Sequence, residues 1–190
     1  MMPFTTHTGT AAPLIRDNID TDQIIPSREM KSVSKTGLSD GMFAGQRYLN
    51  DRIENPDFVL NQEIFRGASI LLSGKNFGCG SSREHAVWAL KEYGFKAIIA
   101  ESFGEIFYNN CVRNGILCVT LDRTAIAALG DIVTIDLPHQ RVDEIPFEIP
   151  LGDKQMLIEG LDGIDLTLQN ETEISAHFAH DRVIRPWAYS

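Results

Sequence analysis

Two hydroxyls and a guanidinium stand side by side in the glycine-rich stretch Asn76–Ala86, NFGCGSSREHA. Ser81, Ser82 and Arg83 are its chemically useful residues, because hydroxyls can exchange protons and a guanidinium binds a carboxylate or phosphate through two parallel hydrogen bonds. Ser81 and Glu84 have the S-x-x-E spacing of a capping box, which predicts a helix beginning at Ser81 or Ser82. The N–H groups at a helix start favour anions, so the stretch predicts an anion site.

The same spacing argues against several common motifs. Gly78 and Gly80 are not followed by the third glycine of a dinucleotide-binding fingerprint, and the Gly-Lys-Ser/Thr of a P-loop is missing. The serines do not form G-x-S-x-G, so a hydrolase elbow is poorly supported. On spacing alone, a capped helix start with a solvated arginine is an equally good interpretation, since strand, glycine turn and capped helix occur often in α/β proteins.

The elements that must position this stretch alternate between strand and helix. Short apolar runs predict the strands, and apolar residues with helical spacing predict the helices. The predicted strands are 68–73, 97–100 and 116–121, and the predicted helices are 82–93 and 103–114. This β-α-β-α-β order predicts an α/β fold with a parallel centre. Ligands bind such sheets at the carboxyl ends of the strands, which is where the turn 74–85 falls.

The flanking regions give weaker signals. Residues 1–13 predict a short extended lead-in, and residues 170–180 predict a helix. Short β-like pieces are predicted at 146–149 and 155–158, before a turn at Gly160–Asp165. The polar, glycine-broken segment 27–45 predicts a functional loop, with a disordered surface insertion as the alternative.

Composition limits the class of protein. The 190 residues are 43% hydrophobic, which predicts a single domain over residues 1–190 with a substantial core. The net charge is -9, the pI is near 5.0 and no basic block stands out, so nucleic acid is not expected as a partner. Neither a membrane helix nor a signal peptide is expected, because the apolar runs are short. A cytoplasmic location is the expectation.

Three widely spaced cysteines, Cys79, Cys111 and Cys118, predict free thiols in a reducing compartment. They form no C-x-x-C pair, so we expect this chain to bind no metal and no iron–sulfur cluster of its own. Cys111 and Cys118 are predicted to pack in the core, whereas Cys79 could pack or face a site. Asp17–Asp22 contains three aspartates but lacks the glycine and distal glutamate of an EF-hand, so Asx turns explain it better.

Two segments carry a resemblance to a known family. Asn18–Pro26, NIDTDQIIP, and Asn76–Ala86 resemble the two signatures of the 3-isopropylmalate dehydratase small subunits, in the aconitase superfamily. The resemblance implies a swivelling β/β/α domain like the fourth domain of aconitase. It also implies a partner, the large subunit of 3-isopropylmalate dehydratase, which holds a [4Fe-4S] cluster, and a small dicarboxylate substrate.

The resemblance further implies a reaction and residue roles. The reaction is the isomerisation of 2-isopropylmalate to 3-isopropylmalate through 2-isopropylmaleate, in leucine biosynthesis. Ser81 would be the catalytic base, acting as an alkoxide, while Ser82 and Arg83 would bind a substrate carboxylate. Asp20, Thr21 and Asp22 would shape the wall of the site.

The same resemblance implies that the loop 27–45 discriminates among substrate side chains. Arg28 is predicted to bind substrate, and Met30 or Leu38 is predicted to contact the isopropyl group. Two alternatives stay open on the sequence. One is a small subunit for homoaconitate, citraconate or dimethylmalate, and the other is a non-catalytic module that binds dicarboxylates.

Overall fold

The computed structural model describes residues 1–30 and 36–189, so residues 31–35 of the predicted loop 27–45 lie outside the described residues. The described chain divides into two compact units, Met1–Gly160 and the residues from Leu161 onward. The first unit contains strands and helices, whereas the second is helical. The prediction of one domain over residues 1–190 stays a prediction.

A mixed sheet and the helices beside it form the first unit. Its strands are β1 (Thr6–Leu14), β2 (Ile70–Ser73), β3 (Ala97–Ala100), β4 (Leu117–Thr120), β5 (Ile132–Asp136), β6 (Arg141–Val142) and β7 (Ile145–Pro146). Its helices are α1 (Thr21–Ile24), α2 (Ala44–Arg47), α3 (His85–Tyr93), α4 (Glu105–Asn114), α5 (Arg123–Ala128) and α6 (Leu151–Glu159). Short 3-10 helices occupy Ser27–Glu29, Ser39–Gly41, Asn50–Arg52, Val59–Asn61 and Glu63–Phe65.

The strand order across the described sheet is β4-β3-β2-β1-β5-β6-β7. Strands β1 to β4 pair in parallel, and β5 to β7 pair antiparallel. β1 joins the two halves, because its last residues pair with β2 and its first residues pair antiparallel with β5. Since β2, α3, β3, α4 and β4 follow one another along the chain, the predicted α/β fold with a parallel β-α-β-α-β centre is confirmed.

Each face of the sheet has its own hydrophobic core, because alternate side chains of a strand point to opposite faces. Leu71 and Ile98 pack with the buried side chains of α3 on one face. Ile70 and Ile99 pack with residues of α5 and α6 on the other. Every residue of β2 and β3 is buried, as expected for parallel strands covered on both sides.

Residues Thr6–Leu14 form a strand in the middle of the sheet. The prediction of a short lead-in over residues 1–13 had the extended conformation right but was wrong about its place in the fold. Threonines at alternate positions of β1 favour a strand, and the hydroxyl of Thr8 lies 2.9 Å from that of Thr134 in β5. Pro13 is tolerated because β5 pairs only with residues 6–10, so the proline has a partner strand on one side alone.

Residues Leu151–Glu159 form α6, so the β-like piece predicted at 155–158 was wrong. A short apolar run such as Met156-Leu157-Ile158 fits either a strand or a helix when read alone. Tertiary contacts decide for the helix, because Leu157 is fully buried and its carbonyl accepts a hydrogen bond from the Phe4 N–H at 2.8 Å. Gly160 ends the helix in the left-handed conformation, with φ of 68°.

The second unit contains α7 (Gly163–Leu168), α8 (Glu171–Ile184) and a 3-10 helix at Pro186–Ala188. The helix predicted at 170–180 is confirmed and extends to Ile184. Asp162 and Asp165 form a capping box at the start of α7, so the segment predicted as a turn contains a helix start. In the described part of the chain, no helix combines the length and apolar composition that crossing a membrane requires.

Candidate active site

The two sequence motifs lie in loops that leave the same edge of the sheet. Leu14 at the end of β1 pairs with Ser73 at the end of β2, so the following loops start side by side. The first loop contains Asn18–Pro26, and the second contains Asn76–Ala86. This edge holds the carboxyl ends of parallel strands, where α/β folds bind ligands.

Backbone hydrogen bonds join the two loops. The N–H of Gly78 donates to the carbonyl of Ile19 at 2.7 Å, and the N–H of Thr21 donates to the carbonyl of Cys79 at 2.9 Å. These bonds form a short parallel ladder beyond the end of the sheet. The motifs, which lie far apart in the sequence, therefore make up one connected structure, which we call the loop junction.

Glycines allow the second loop to turn at this place. Gly78 has φ of +74°, and a Cβ atom there would lie 2.1 Å from Cγ of Phe107. Both the backbone conformation and the packing therefore exclude a side chain at this position. Gly80, with φ of +98°, turns the chain directly before Ser81.

Ser81 and Ser82 follow this turn in an irregular segment. The backbone N–H of Ser81 donates to Oγ1 of Thr21 at 3.1 Å, which fixes the segment to the first loop. Thr21 itself is buried, Ser81 is half-buried and Ser82 is exposed. The two adjacent hydroxyls therefore belong to residues that the fold holds differently.

Helix α3 begins at His85, so the predicted start at residues 81–82 was wrong and the capping box does not form. Oε1 of Glu84 accepts a hydrogen bond from Nδ2 of Asn114 at 2.6 Å, while the N–H of Ser81 has its partner in the first loop. The donor and the acceptor of one of the box's two hydrogen bonds thus have tertiary partners instead of each other. The helix start follows the serines and does not include them.

Arg83 is held by the first loop. Its Nη1 donates to Oγ of Ser27 at 2.8 Å and forms an ion pair with Oδ1 of Asp22. The side chain is 34% exposed, so the guanidinium reaches solvent at the loop junction. These two contacts on Nη1 orient the planar guanidinium. Its other N–H groups can then donate to a further partner in the same plane.

Comparison with known proteins identifies the family of this chain. Residues 1–124 match a family model described as the aconitase C-terminal domain. The 3-isopropylmalate dehydratase small subunit of Cupriavidus necator is 55% identical, with 100% of this chain and 99% of that protein covered. The protein of the same name from Lactococcus lactis subsp. cremoris is 49% identical, with 93% and 97% covered. This chain belongs to the 3-isopropylmalate dehydratase small-subunit family.

A solved structure supports the same assignment. The crystal structure of 3-isopropylmalate dehydratase from Methanocaldococcus jannaschii matches with a TM-score of 0.68 and 29% identity, covering 90% of this chain and 99% of that one. The predicted resemblance to this small-subunit family and to the aconitase superfamily is therefore confirmed.

Arg28 lies one residue beyond Ser27, in the turn Ser27–Glu29. Its side chain is 68% exposed, and its Nε lies 3.4 Å from Oε1 of Glu29. The fold thus places this second arginine next to the residue that Arg83 contacts. The substrate-binding role of Arg28 stays a prediction for this small-subunit family member.

Leu38 is 2% exposed and belongs to the core, so Met30 is the more accessible of the two residues predicted to contact a substrate alkyl group, and that contact stays a prediction. Glu92 in α3 explains the position of Leu38, because the carboxylate accepts the N–H groups of Gly37, Leu38 and Ser39 at 2.6, 2.6 and 2.8 Å. Desolvation alone would raise the pKa of Glu92, but these backbone donors together outweigh it and lower the pKa. Met30 is half-buried and packs against the same core.

Burial disfavours the thiolate form of two of the cysteines, Cys79 and Cys111. Burial, and then the negative charge of Asp20, raise the pKa of Cys79 in the loop junction. Burial and the neighbouring Cys118 raise the pKa of Cys111, and both lie in the core as predicted. Among the described residues, no group of three His, Cys, Asp or Glu side chains is placed to hold a metal ion.

The resemblance placed Thr21 and Asp22 in the wall of the site, but the sequence did not predict their contacts with residues 81–83, nor the contact of Ser27 with Arg83. Thr21, Asp22 and Ser27 contact the motif from the first loop. Their types carry no signal of these contacts. The pairing of β1 with β2 would have revealed them, but β1 was not predicted over its full length.

Proposed function

We propose that this chain is the small subunit of a hydro-lyase that interconverts 2-isopropylmalate and 3-isopropylmalate through 2-isopropylmaleate, in leucine biosynthesis. The observation that carries the proposal is the loop junction, where Ser81 and Ser82 adjoin an arginine held by Asp22 and Ser27. A proton acceptor and a carboxylate-binding group are thereby present within three consecutive residues. Membership of the small-subunit family supports the same reaction.

The reaction removes a proton from a carbon next to a carboxylate and a hydroxyl from the neighbouring carbon. Adding water back with the opposite orientation completes the isomerisation. We assign the proton to Oγ of Ser81. A free serine hydroxyl is too weak a base at neutral pH, so surrounding donors must stabilise its anion. The hydrogen bond from the Ser81 N–H to Oγ1 of Thr21 fixes the backbone at Ser81, and Arg83 supplies positive charge two residues away.

Ser82 and Arg83 bind a substrate carboxylate in this proposal. Within the described residues, the contacts of Arg83 with Asp22 and Ser27 both use Nη1. Nε and Nη2 can therefore donate the two parallel hydrogen bonds that a carboxylate accepts. Arg28, next to Ser27 in sequence, provides a cation for the second carboxylate of a diacid. These local cations are needed because the whole chain has a net charge of -9.

The leaving hydroxyl needs an acid, and we propose that the large subunit supplies it with a [4Fe-4S] cluster. When bound there, the cluster acts as a Lewis acid that polarises the hydroxyl. The described residues of this chain do not provide a ligand set, because Cys111 and Cys118 lie in the core and Cys79 is the lone cysteine of the loop junction. The chain therefore acts only in complex with the large subunit, and we place the complex in the cytoplasm.

Reconstitution with a candidate large subunit under anaerobic conditions tests the proposal, with the unsaturated intermediate followed by its absorbance. We expect activity on 2-isopropylmalate from the complex and none from either subunit alone. Homoaconitate, citraconate and dimethylmalate, assayed at equal concentration, measure the substrate preference. If the isolated chain binds small dicarboxylates in a calorimetric titration but gains no activity with the large subunit, the chain is a binding module and the proposal is wrong.

A further inference from the structure

One arginine outside the loop junction joins two separate carboxylates. Nη2 of Arg52 lies 2.5 Å from Oε2 of Glu29, and Nη1 lies 3.0 Å from Oδ2 of Asp40 and donates to the Asp40 carbonyl at 3.1 Å. The guanidinium carbon lies 5.0 Å from the ring centroid of Tyr48, whose hydroxyl donates to Oδ1 of Asp40 at 2.7 Å. The guanidinium is therefore held along its edges and over one face.

The two joined segments also pack directly on each other. A Cβ atom at Gly41 would lie 2.6 Å from Cβ of Glu29, and the Glu29 side chain is only 10% exposed. Arg52 itself has φ of +62°, a conformation that a residue other than glycine rarely adopts. The surrounding contacts maintain this unusual backbone, which is typical of residues with a positional role.

The Asp40 side of this bridge is anchored independently. The carboxylate of Glu92 accepts the N–H groups of residues 37–39, and Nη1 of Arg47 donates to the carbonyl of Ser39 at 3.0 Å. Arg52 therefore connects a fixed segment to the turn Ser27–Glu29. That turn is the one whose Ser27 hydroxyl accepts a hydrogen bond from Arg83.

We propose that Arg52 is a positioning residue for the substrate site, which holds the turn Ser27–Glu29 against Arg83 by fixing Glu29 to the Asp40 segment. The path of contacts runs from Arg52 to Glu29, then along the turn to Ser27 and Arg83. The effect of Arg52 on substrate binding rests on the proposed function, whereas the effect of Arg52 on the turn does not.

Hydrogen exchange on the isolated chain tests the effect on the turn. The N–H of Glu29 donates to the Pro26 carbonyl at 2.9 Å, and that of Met30 donates to the Ser27 carbonyl at 3.2 Å. We expect Arg52→Gln to speed exchange of these two amides by about tenfold, since the turn then opens more often. The amides of residues 37–39 keep their rates, because Glu92 holds them.

Arg66→Gln is the matched control. Its side chain is 46% exposed, against 44% for Arg52, and its Nη2 forms an ion pair with Glu54 at 2.8 Å. The control removes an equally exposed arginine and its ion pairs with Glu54 and Glu63 without touching the turn. We expect wild-type exchange rates at Glu29 and Met30 in this variant.

Kinetics of the reconstituted complex test the effect on substrate. We expect Arg52→Gln to raise KM about three- to tenfold with kcat within about twofold, because misplaced binding groups weaken uniform binding. Arg52→Lys should lie between wild type and Arg52→Gln, since an ammonium does not reproduce the planar bridge.

Two results overturn the inference. One is unchanged exchange at Glu29 and Met30 in Arg52→Gln, which would mean that the turn does not depend on the bridge, whatever the kinetics show. The other is faster exchange with the same KM as in Arg66→Gln, which would mean that the turn does not matter for substrate. If the wild-type complex does not act on 2-isopropylmalate, the proposed function fails, while the exchange comparison still decides whether Arg52 holds the turn.

Discussion

Ser81 and Ser82 are chemically identical neighbours, so any difference in their roles has to come from their environments. Ser81 is half-buried, and its N–H is bound to the hydroxyl of the buried Thr21. Ser82 is exposed. A base has to be held in a fixed, partly desolvated position, whereas a carboxylate-binding hydroxyl can reorient. The structure therefore supports Ser81 as the base, a role that the sequence assigned by resemblance alone.

Replacing Ser81 by alanine should mainly lower turnover. In the reconstituted complex we expect Ser81→Ala to reduce kcat by about 10²–10⁴-fold, the effect of losing a general base, with KM within about threefold. Ser82→Ala is the matched control, since it removes the adjacent hydroxyl, and it should raise KM more than it lowers kcat. Near-normal turnover in Ser81→Ala would show that the base lies elsewhere.

Replacing Arg83 by lysine should mainly weaken substrate binding. The ammonium carries the charge but cannot contact Asp22, Ser27 and a carboxylate in one plane. We expect Arg83→Lys to raise KM by at least about tenfold, as measured by steady-state kinetics of the complex. Asp22→Asn keeps the arginine but removes its ion pair, so a smaller increase is expected. Equal KM values for Arg83→Lys and the wild type would contradict carboxylate binding by this residue.

The candidate residues of the site could be proposed from the sequence, but the contacts that hold them could not. Ser81, Ser82 and Arg83 are adjacent, so their types and order show them directly. Thr21 and Ser27 act through contacts between two loops, and such contacts depend on which strands are neighbours in the sheet. A local pattern contains no such information.

At the scale of elements, tertiary contacts decided the cases that local patterns left ambiguous. The sequence has the capping-box spacing at Ser81, but the Ser81 N–H and the Glu84 carboxylate, which would bond each other in the box, bond Thr21 and Asn114 instead. The apolar run in α6 is compatible with a strand in the sequence alone, and the hydrogen bond from the Phe4 N–H to the Leu157 carbonyl favours the helix. The long, regular signals were more reliable at the helix ends. The ends predicted at residues 93 and 114 are confirmed, because Gly94 and Gly115 end α3 and α4.

Gly78→Ala should destabilise the fold through both backbone and packing. A left-handed φ costs an alanine about 1–2 kcal/mol, and the clash with Phe107 should add about 1–3 kcal/mol for overpacking. Gly67→Ala is the matched control, because Gly67 has φ of +78° but no heavy atom within 4 Å of the added Cβ. Urea unfolding should therefore show a larger loss for Gly78→Ala. Equal losses in the two variants would mean that the Phe107 contact relaxes without cost.

Glu92 should make the stability of the 37–39 turn depend on pH. Its pKa is lowered in the folded chain from the ordinary value of 4.5, so its contribution is present above that value and is lost as the pH falls through the folded pKa. Glu92→Gln should be less stable than wild type at pH 7, and the difference should shrink in acid. Urea unfolding at a series of pH values measures this, with the 96% exposed Glu63 changed to glutamine as control. A difference that does not vary with pH would contradict the carboxylate's role.

At the scale of the whole molecule, the cores lie in one part of the chain. Both hydrophobic clusters consist entirely of residues within Met1–Gly160. The helices α7 and α8 contain no buried residue, and large apolar side chains such as Phe178 and Trp187 are 49% and 71% exposed. An overall hydrophobic content of 43% cannot reveal this uneven distribution, because it counts exposed and buried apolar residues alike.

The fragment 1–160 should therefore fold by itself. It keeps the described sheet, both cores and the contact of Phe4 with α6, so we expect cooperative urea unfolding with a midpoint close to that of the full chain. The fragment 1–150 is the control. It removes the fully buried Leu157 with α6, and it should lose about 3 kcal/mol or more of stability. If 1–160 were as unstable as 1–150, the residues from Leu161 onward would be part of the folding unit, and the independence of the first unit would be wrong.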